Sequence, residues 1–188
     1  MNQNYLFTSE RLGFRNWLPE DLPTMARMNA DPAVMQYFPS THSAERTQQF
    51  IDRMQKQYSE NKYCYFATEK LETGELIGFI GLAYQSFEAP FTPCVDIGWR
   101  LAQQHWNHGY ATEGAKRCLQ YAFRELSLEK ILATAAAINR PSIKVMEKIG
   151  LQFDYEFEHP LLLNFDRIKT CVLYSIDAET YRKNTEVA

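Results

Sequence analysis

The stretch that decides the fold is Cys94–Arg124, CVDIGWRLAQQHWNHGYATEGAKRCLQYAFR. Val95, Ile97, Trp99 and Leu101 alternate with Asp96, Gly98 and Arg100, the period of a strand with one face packed inward. From Ala111 the period changes. Ala111, Ala115, Cys118, Leu119, Ala122, Phe123 and Leu126 form the apolar stripe of a long helix. Between strand and helix lies Asn107-His108-Gly109-Tyr110-Ala111-Thr112, with small residues at alternate positions. The first amides of a helix have no intrahelical acceptor and carry the positive end of its dipole. The ligand they suit is an anion, most often a phosphate or pyrophosphate. A large side chain at Gly109 or Ala111 would obstruct approach to that backbone. No Gly-Lys-Ser/Thr follows and no GxGxxG is present, so neither a Walker loop nor a dinucleotide fingerprint is read here. A tight strand-to-helix turn with no ligand stays open as the competing reading.

Working outward, Ile131–Ile138 is a further strand, rich in alanine, and Asn139-Arg140-Pro141-Ser142 opens the next helix, which ends at Gly150. Leu151, Phe153, Tyr155 and Phe157 then alternate strictly with Gln152, Asp154, Glu156 and Glu158. That pattern predicts a strand packed inward on one face with an antiparallel neighbour, and Thr170–Ile176 is the last strand. Upstream, Glu10–Arg15 reads as a first strand near an edge, and Pro19-Glu20-Asp21 opens a helix running to Asp31-Pro32. A short helix through Met35 and a third from Ser43 to about Tyr58 follow it. Tyr63–Glu69 is an aromatic strand, Glu72–Glu75 a hairpin turn, and Leu76–Tyr84 an apolar central strand. Phe87–Pro93, with its prolines and phenylalanines, is a surface loop beside the site. The order of these elements is that of a mixed α/β (α+β) single domain.

Composition narrows the function. A chain of 188 residues, 45% hydrophobic and 14% aromatic, is long enough for one globular domain over residues 1–188, with its core at about 9–176 and a polar tail at 177–188. A net charge of -3 gives no electrostatic case for nucleic acid, and no Lys/Arg run suggests a membrane surface. No apolar run approaches the ~18 to 20 residues of a membrane span. Met1–Glu10 resembles neither a signal peptide nor a basic leader. Cys64, Cys94, Cys118 and Cys171 are scattered without a CxxC, which suits reduced thiols and a cytoplasmic setting. His105 and His108 lie three apart with no further ligand converging, so no metal site is expected.

Two helix N-termini now follow two successive strands, and at this point the sequence resembles the GNAT-type acyltransferases, in the branch similar to the RimJ/RimL N-acetyltransferases. The resemblance rests on Asp96–Leu101, on Trp106–Glu113, and on Asn139–Ser142 leading to Met146–Leu151, and it runs from about Ser9 to Ile176. In the family's R/Q-x-x-G-x-G/A motif Trp106 takes the first place, Gly109 the fourth and Ala111 the sixth, while Asn107 stands where this branch often has glycine. The resemblance implies direct transfer of acetyl from acetyl-CoA to an amine acceptor, without a covalent enzyme intermediate. It implies a central, mostly antiparallel sheet of about seven strands with helices on both faces and a splayed parallel strand pair, Asp96–Leu101 against Ile131–Ile138, with the pantetheine arm against strand amides near Trp99, Arg100 and Leu101. The pyrophosphate is then expected on the loop Trp106, Asn107, His108, Gly109, Tyr110, Ala111 and Thr112, and the thioester end at Asn139 with Ser142 beside it.

Transfer to an amine needs a base, a stabilised oxyanion and a donor to the departing thiolate. Asp96 is the candidate base, a strand amide near Ile97–Trp99 the oxyanion donor, and Ser142 the donor to sulfur. Each has a plainer reading. Asp96 pairs with Arg100, Asn139 and Ser142 only cap their helix, and Glu113 only complements the dipole. His159 either packs as a buried histidine or lines the acceptor pocket. The loops at Phe38–Pro39 and Phe87–Phe91 either pack or close over the acceptor. A non-catalytic acyl-CoA-binding module is the second functional reading, and a phosphate-binding domain for another nucleotide the third. The expected partners are acetyl-CoA and an amine acceptor, with no nucleic acid and no membrane, and the reading leaves room for a homodimer.

Overall fold

The structure, a computed structural model, describes residues 5–186; the first four residues and the last two of the expected tail lie outside it. One sheet carries eight strands in the order β1-β2-β3-β4-β5-β6-β8-β7. They are β1 (Phe7–Thr8), β2 (Leu12–Arg15), β3 (Tyr65–Lys70), β4 (Leu76–Gln85), β5 (Cys94–Leu101), β6 (Lys130–Ala136), β7 (Gln152–Glu158) and β8 (Thr170–Asp177). Every neighbouring pair is antiparallel except β5 and β6, which are parallel. The strand added to the expected seven is β1, whose two residues are too short to show alternation and are held by pairing Phe7 to Phe14.

The helices are α1 (Leu22–Ala30), α2 (Ala44–Asn61), α3 (Tyr110–Gln120), α4 (Arg140–Lys148) and α5 (Ala178–Glu186). They lie on both faces. Phe79 of β4 meets Phe50 of α2 with ring centroids 5.2 Å apart, and its neighbour Ile80 presses on Gly114 of α3. Successive strand residues point to opposite faces, so α2 and α3 cover opposite sides of the sheet. Leu12, Phe14, Phe66, Ile80, Ala115, Cys118 and Leu119 are at most 1% exposed and fill the centre of the core.

A buried ionic cluster ties β2 and β3 to the start of α1. Arg15 donates to both oxygens of Asp21 at 2.7 Å and, through Nε, to Glu69 at 2.7 Å, with a second short bond from Nη2 to Glu69. All three residues are at most 8% exposed, and Tyr5 adds a phenol donor to Glu69.

Several local expectations change. The short helix through Met35 is a run of turns, in which Met35 N–H reaches Asp31 C=O at 3.0 Å and Phe38 N–H reaches Met35 C=O at 2.9 Å. Pro39 cannot continue that turn as a helix. The long helix α3 passes at Tyr121–Glu125 into one π-turn, closed by Leu126 N–H on Tyr121 C=O. β7 is an edge strand with both sides largely open, Phe153 being 53% and Tyr155 41% exposed. Its alternation therefore does not mark an inward face, although its antiparallel neighbour β8 is as expected. The polar tail forms α5, which docks by setting Tyr181 against Phe123 at 4.8 Å.

Candidate active site

β5 and β6 pair at a single point, Asp96 with Leu132. β5 keeps its full ladder to β4 as far as Leu101, and β6 keeps its ladder to β8 as far as Ala136. Beyond Asp96 the two strands therefore part, and the outer edge of Ile97–Leu101 has no strand partner. Unpaired strand edges offer their peptide groups to whatever extended chain lies along them.

At the far end of β5 the chain turns into α3. Trp106 fastens the turn by donating its indole N–H to the Leu101 carbonyl at 2.8 Å. Asn107 and Gly109 take left-handed conformations, φ +63° and +82°. Gly109 is the residue type for that backbone, and asparagine is among the few side-chain-bearing residues that adopt it readily. The departure at Asn107 thus preserves the geometry a glycine would give. Asn107, His108 and Gly109 are exposed, and no side chain caps the N-terminus of α3. A Cβ on Gly109 would meet nothing nearer than Arg11 Nη2 at 3.5 Å. The cradle is open, and an uncapped helix N-terminus of this kind is a place that could hold an anion.

Arg11 is a residue that no sequence motif pointed to. Its guanidinium lies over the Tyr110 ring at 4.6 Å, beside Gly109, and pairs with Glu113 at 2.7 Å. Glu113 also accepts from Ser9 Oγ at 2.7 Å and from Arg11 N–H at 2.8 Å. Burial pushes its carboxyl up, but these bonds from Ser9 and Arg11 prevail and hold it below the usual range. Glu113 is more than a dipole partner: it locks the start of β2 against α3.

Asp96 lies at the branch point where β5 leaves β6. It does not pair with Arg100. Tyr65 donates its phenol to both carboxylate oxygens, at 2.7 and 2.9 Å, and Gln85 Nε2 donates at 3.1 Å. Burial pushes the Asp96 carboxyl up to about 6 against the lowering effect of those two donors. Burial and the adjoining carboxylate hold Tyr65 well above its ordinary value, so its phenol stays protonated. Tyr65 reaches Asp96 because its row of the sheet is cleared. Tyr65 registers with Gly81, and Gly81 with Gly98. A Cβ on Gly98 would lie 2.9 Å from the Tyr65 ring.

Arg100 shares the face of Asp96 and Gly98, under α1 and α2, so its side chain points away from the α3 cradle and only its backbone faces the strand gap. Its guanidinium stacks on Phe38 at 4.2 Å and Phe79 at 5.3 Å. Phe38 thus covers this part of the site, while Phe87 and Phe91 lean on His159 and Phe157 at 4.6 and 5.0 Å. His159 Nδ1 accepts from Leu161 N–H at 3.2 Å and caps a turn, and burial lowers its basicity.

Across the gap, Asn139 caps α4 by accepting from Ser142 N–H at 3.2 Å. The Ser142 hydroxyl makes no hydrogen bond among the described residues and is free to donate. Trp99 packs against the core, and the Ala111 and Thr112 amides lie in the first turn of α3. A separate cavity of about 390 Å³ between α1 and the start of β4, lined by Met28, Asp31, Gly78 and Ala102 among others, contains none of these residues.

All four cysteines are free, and burial pushes each thiol up, Cys94 and Cys171 to about 11. None is a ready thiolate nucleophile. Among the described residues no group of three His, Cys, Asp or Glu side chains could hold a metal ion, and no helix is long and apolar enough to cross a membrane.

Comparison with known proteins agrees with this geometry. The model of an acetyltransferase (GNAT) domain matches residues 11–152. The uncharacterized protein YkkB of Bacillus subtilis is 30% identical over 154 residues, covering 81% of this chain and 88% of its own. The crystal structure of a GNAT-family acetyltransferase from Bacillus anthracis superposes with a TM-score of 0.76 at 27% identity, covering 92% of this chain and 98% of that one. RimL, the ribosomal L7/L12 alpha-N-protein acetyltransferase solved in complex with coenzyme A, shares the fold with a TM-score of 0.76 at 13% identity, covering 94% and 99% of the two chains. The chain belongs to the GNAT acetyltransferases and is an acyltransferase whose acyl donor is acetyl-CoA.

Proposed function

We propose that the chain, acting as one unit over its 188 residues, is an N-acetyltransferase that moves acetyl directly to a primary amine, with Asp96 as the base. The observation that carries this reading is a carboxylate at the strand branch point, held by two donors yet with its pKa pushed up to about 6. Such a group is largely ionised at neutral pH and can accept the proton that the neutral amine loses as its nitrogen bonds to the thioester carbonyl. A partly buried, perturbed carboxyl with a fixed orientation suits a proton-transfer site.

Bound acetyl-CoA supplies the acetyl group in activated form, as a thioester. The outward amides of Asn107–Thr112 and the Arg11 guanidinium hold the anionic end. Unpaired peptide groups of Trp99–Leu101 hold the extended arm, and Asn139 steadies the far end. Asp96 accepts the amine proton directly or through water, while Tyr65 and Gln85 orient its two oxygens. An N–H on the free edge of Ile97–Trp99 stabilises the oxyanion, and the Ser142 hydroxyl donates to the departing sulfur. No cysteine takes part. Four unpaired thiols suit the reducing cytoplasm as the place of work.

The test is free-thiol release from acetyl-CoA across a panel of amines. The wild type turns over at least one primary amine, and Asp96→Asn lowers its kcat by about 10²- to 10⁴-fold, the range for losing a positioned base. CoA affinity by calorimetry stays within a factor of two or so. An unaltered rate in Asp96→Asn contradicts the assignment. Gly109→Val tests the anion cradle. Its φ of +82° strains a β-branched residue, so CoA binding falls by about tenfold or more while the far-ultraviolet circular dichroism is retained. Undiminished CoA affinity removes the loop from the site.

A further inference from the structure

Arg100 is a partly buried guanidinium without a carboxylate. Among the described residues its side-chain hydrogen bonds reduce to one, Nη1 to Asn29 Oδ1 at 2.9 Å, and its Nε is buried with no partner. The guanidinium also lies over the faces of Phe38 and Phe79. His42 Nδ1 nearby is likewise buried and unpartnered. The charges that act on His42 are Arg46, Arg100 and Arg53, all cationic, and burial with this repulsion lowers it to about 4. Arg100 is itself brought down to about 10 by burial, with Tyr65 and Arg46 as its charged or ionisable neighbours. A buried charge is normally paired, because burial without a counter-ion is costly.

The guanidinium is also aimed. Asn29 is fully buried, and its amide orientation is set by donating to Thr47 Oγ1 at 3.1 Å, while Thr47 donates to the Ser43 carbonyl at 2.9 Å. A relay from the α2 cap Ser43 through Thr47 to Asn29 of α1 thus holds the arginine in place, on the same face of β5 as Asp96. α3 and its anion cradle lie on the opposite face, so this cation does not serve the pyrophosphate.

We propose that Arg100, framed by Asn29 and His42, receives a carboxylate of the acceptor, making the substrate a small amine that bears a carboxylate several bonds from the nitrogen that is acetylated. This rests on the N-acetyltransferase reading with Asp96 as base. The proton acceptor sits at one end of the face and the unmatched cation four residues along the strand, about 13 Å between Cα atoms at strand spacing. A guanidinium recognises a carboxylate through paired donors, and the Nε donor left open is one half of such a fork. A polyamine would set its second cation against Arg100, Arg46 and Arg53, and is disfavoured. A peptide N-terminus with an acidic residue carries the same carboxylate chemistry, and the test separates it from the free small molecule.

The experiment measures kcat/KM by thiol release for matched acceptors: 4-aminobutyrate against butylamine, glutamate against its diamide, an acidic dipeptide against a neutral one, and spermidine. The wild type prefers the carboxylate-bearing member of each small-molecule pair by about 10- to 100-fold, expressed in KM, and spermidine is the poorest acceptor. In Arg100→Met that preference falls to about one, and in Arg100→Lys it is partly restored. A stronger effect with the dipeptides than with the small molecules reassigns the carboxylate to a peptide and overturns the small-molecule proposal. Equal use of paired acceptors by the wild type, or an equal loss for both members in Arg100→Met, overturns it outright. If Arg100→Met does not fold, the wild-type panel and Arg100→Lys still decide. Absence of turnover with every amine would sink the N-acetyltransferase reading itself, whereas turnover without a carboxylate preference sinks only this inference.

Discussion

Two charged clusters lie on the same side of the sheet and differ in how completely they are paired. In the first, Arg15 meets Asp21 and Glu69 with bonds from Nε, Nη1 and Nη2, all within the buried interior. In the second, Asp96 has only neutral donors, Tyr65 and Gln85, and Arg100 has only a neutral acceptor, Asn29. The first cluster is closed, and a closed buried network serves the fold by fixing β2 and β3 on α1. The second leaves a cation without an anion and an anion without a cation on one face. Its open valences point to ligands, and the displaced Asp96 pKa is the energetic trace of that incompleteness.

The contrast predicts opposite responses to neutralisation. The largest effect is expected at the closed cluster. Arg15→Met leaves two buried carboxylates uncompensated and destabilises the fold by about 3–5 kcal/mol. Chemical denaturation measures this, and the activity per folded molecule is expected to persist. A loss under about 1 kcal/mol would erase the distinction between the clusters.

Neutralising the open cluster goes the other way. The folded Asp96 carboxyl titrates at about 6 rather than 3.8, so ionising it costs the fold about 3 kcal/mol once the pH is well above 6. Its favourable contribution is present in full below about pH 4 and is lost as the pH rises through 6. Asp96→Asn is therefore expected to raise the melting temperature at pH 8 by several degrees and to give no gain at pH 4, while abolishing most activity. A melting temperature lowered at pH 8 would show that Asp96 belongs with the closed kind.

A smaller effect sharpens the same point. Tyr65→Phe removes the phenol donor that favours the ionised carboxylate, so the acid limb of the rate profile shifts upward by up to about one pH unit. A limb that stays in place would mean that Tyr65 only packs on Phe79 and over Gly98.

How much of this was legible in the sequence follows from separation along the chain. The unit Cys94–Arg124 announces itself because strand period, small-residue loop and helix period are local and contiguous. Asp96, Gly109, Asn139 and Ser142 fall within or just after such units. Tyr65, which orients Asp96, comes from 31 residues away, Arg11 meets Glu113 across 102, and Asn29 meets Arg100 across 71. No periodicity encodes those meetings; they depend on strand order. The pairing of Asp96 with Arg100, natural for neighbours on one strand face, fails because a phenol and an amide reach Asp96 while an asparagine and two rings claim Arg100. β7 shows the converse: a perfect alternation at a sheet edge, where solvent reaches both sides.

The central claim is that the Asp96 carboxyl, left without a cation, is the proton acceptor of the reaction. Its most direct test is to titrate that carboxyl by carbon-13 NMR in the CoA-bound protein and to record the pH dependence of kcat on the same preparation. The account predicts a carboxyl titration near 6 that coincides with the acid limb of kcat and is missing from Asp96→Asn. A carboxyl titrating near 4, or a limb near 6 that survives the substitution, contradicts it.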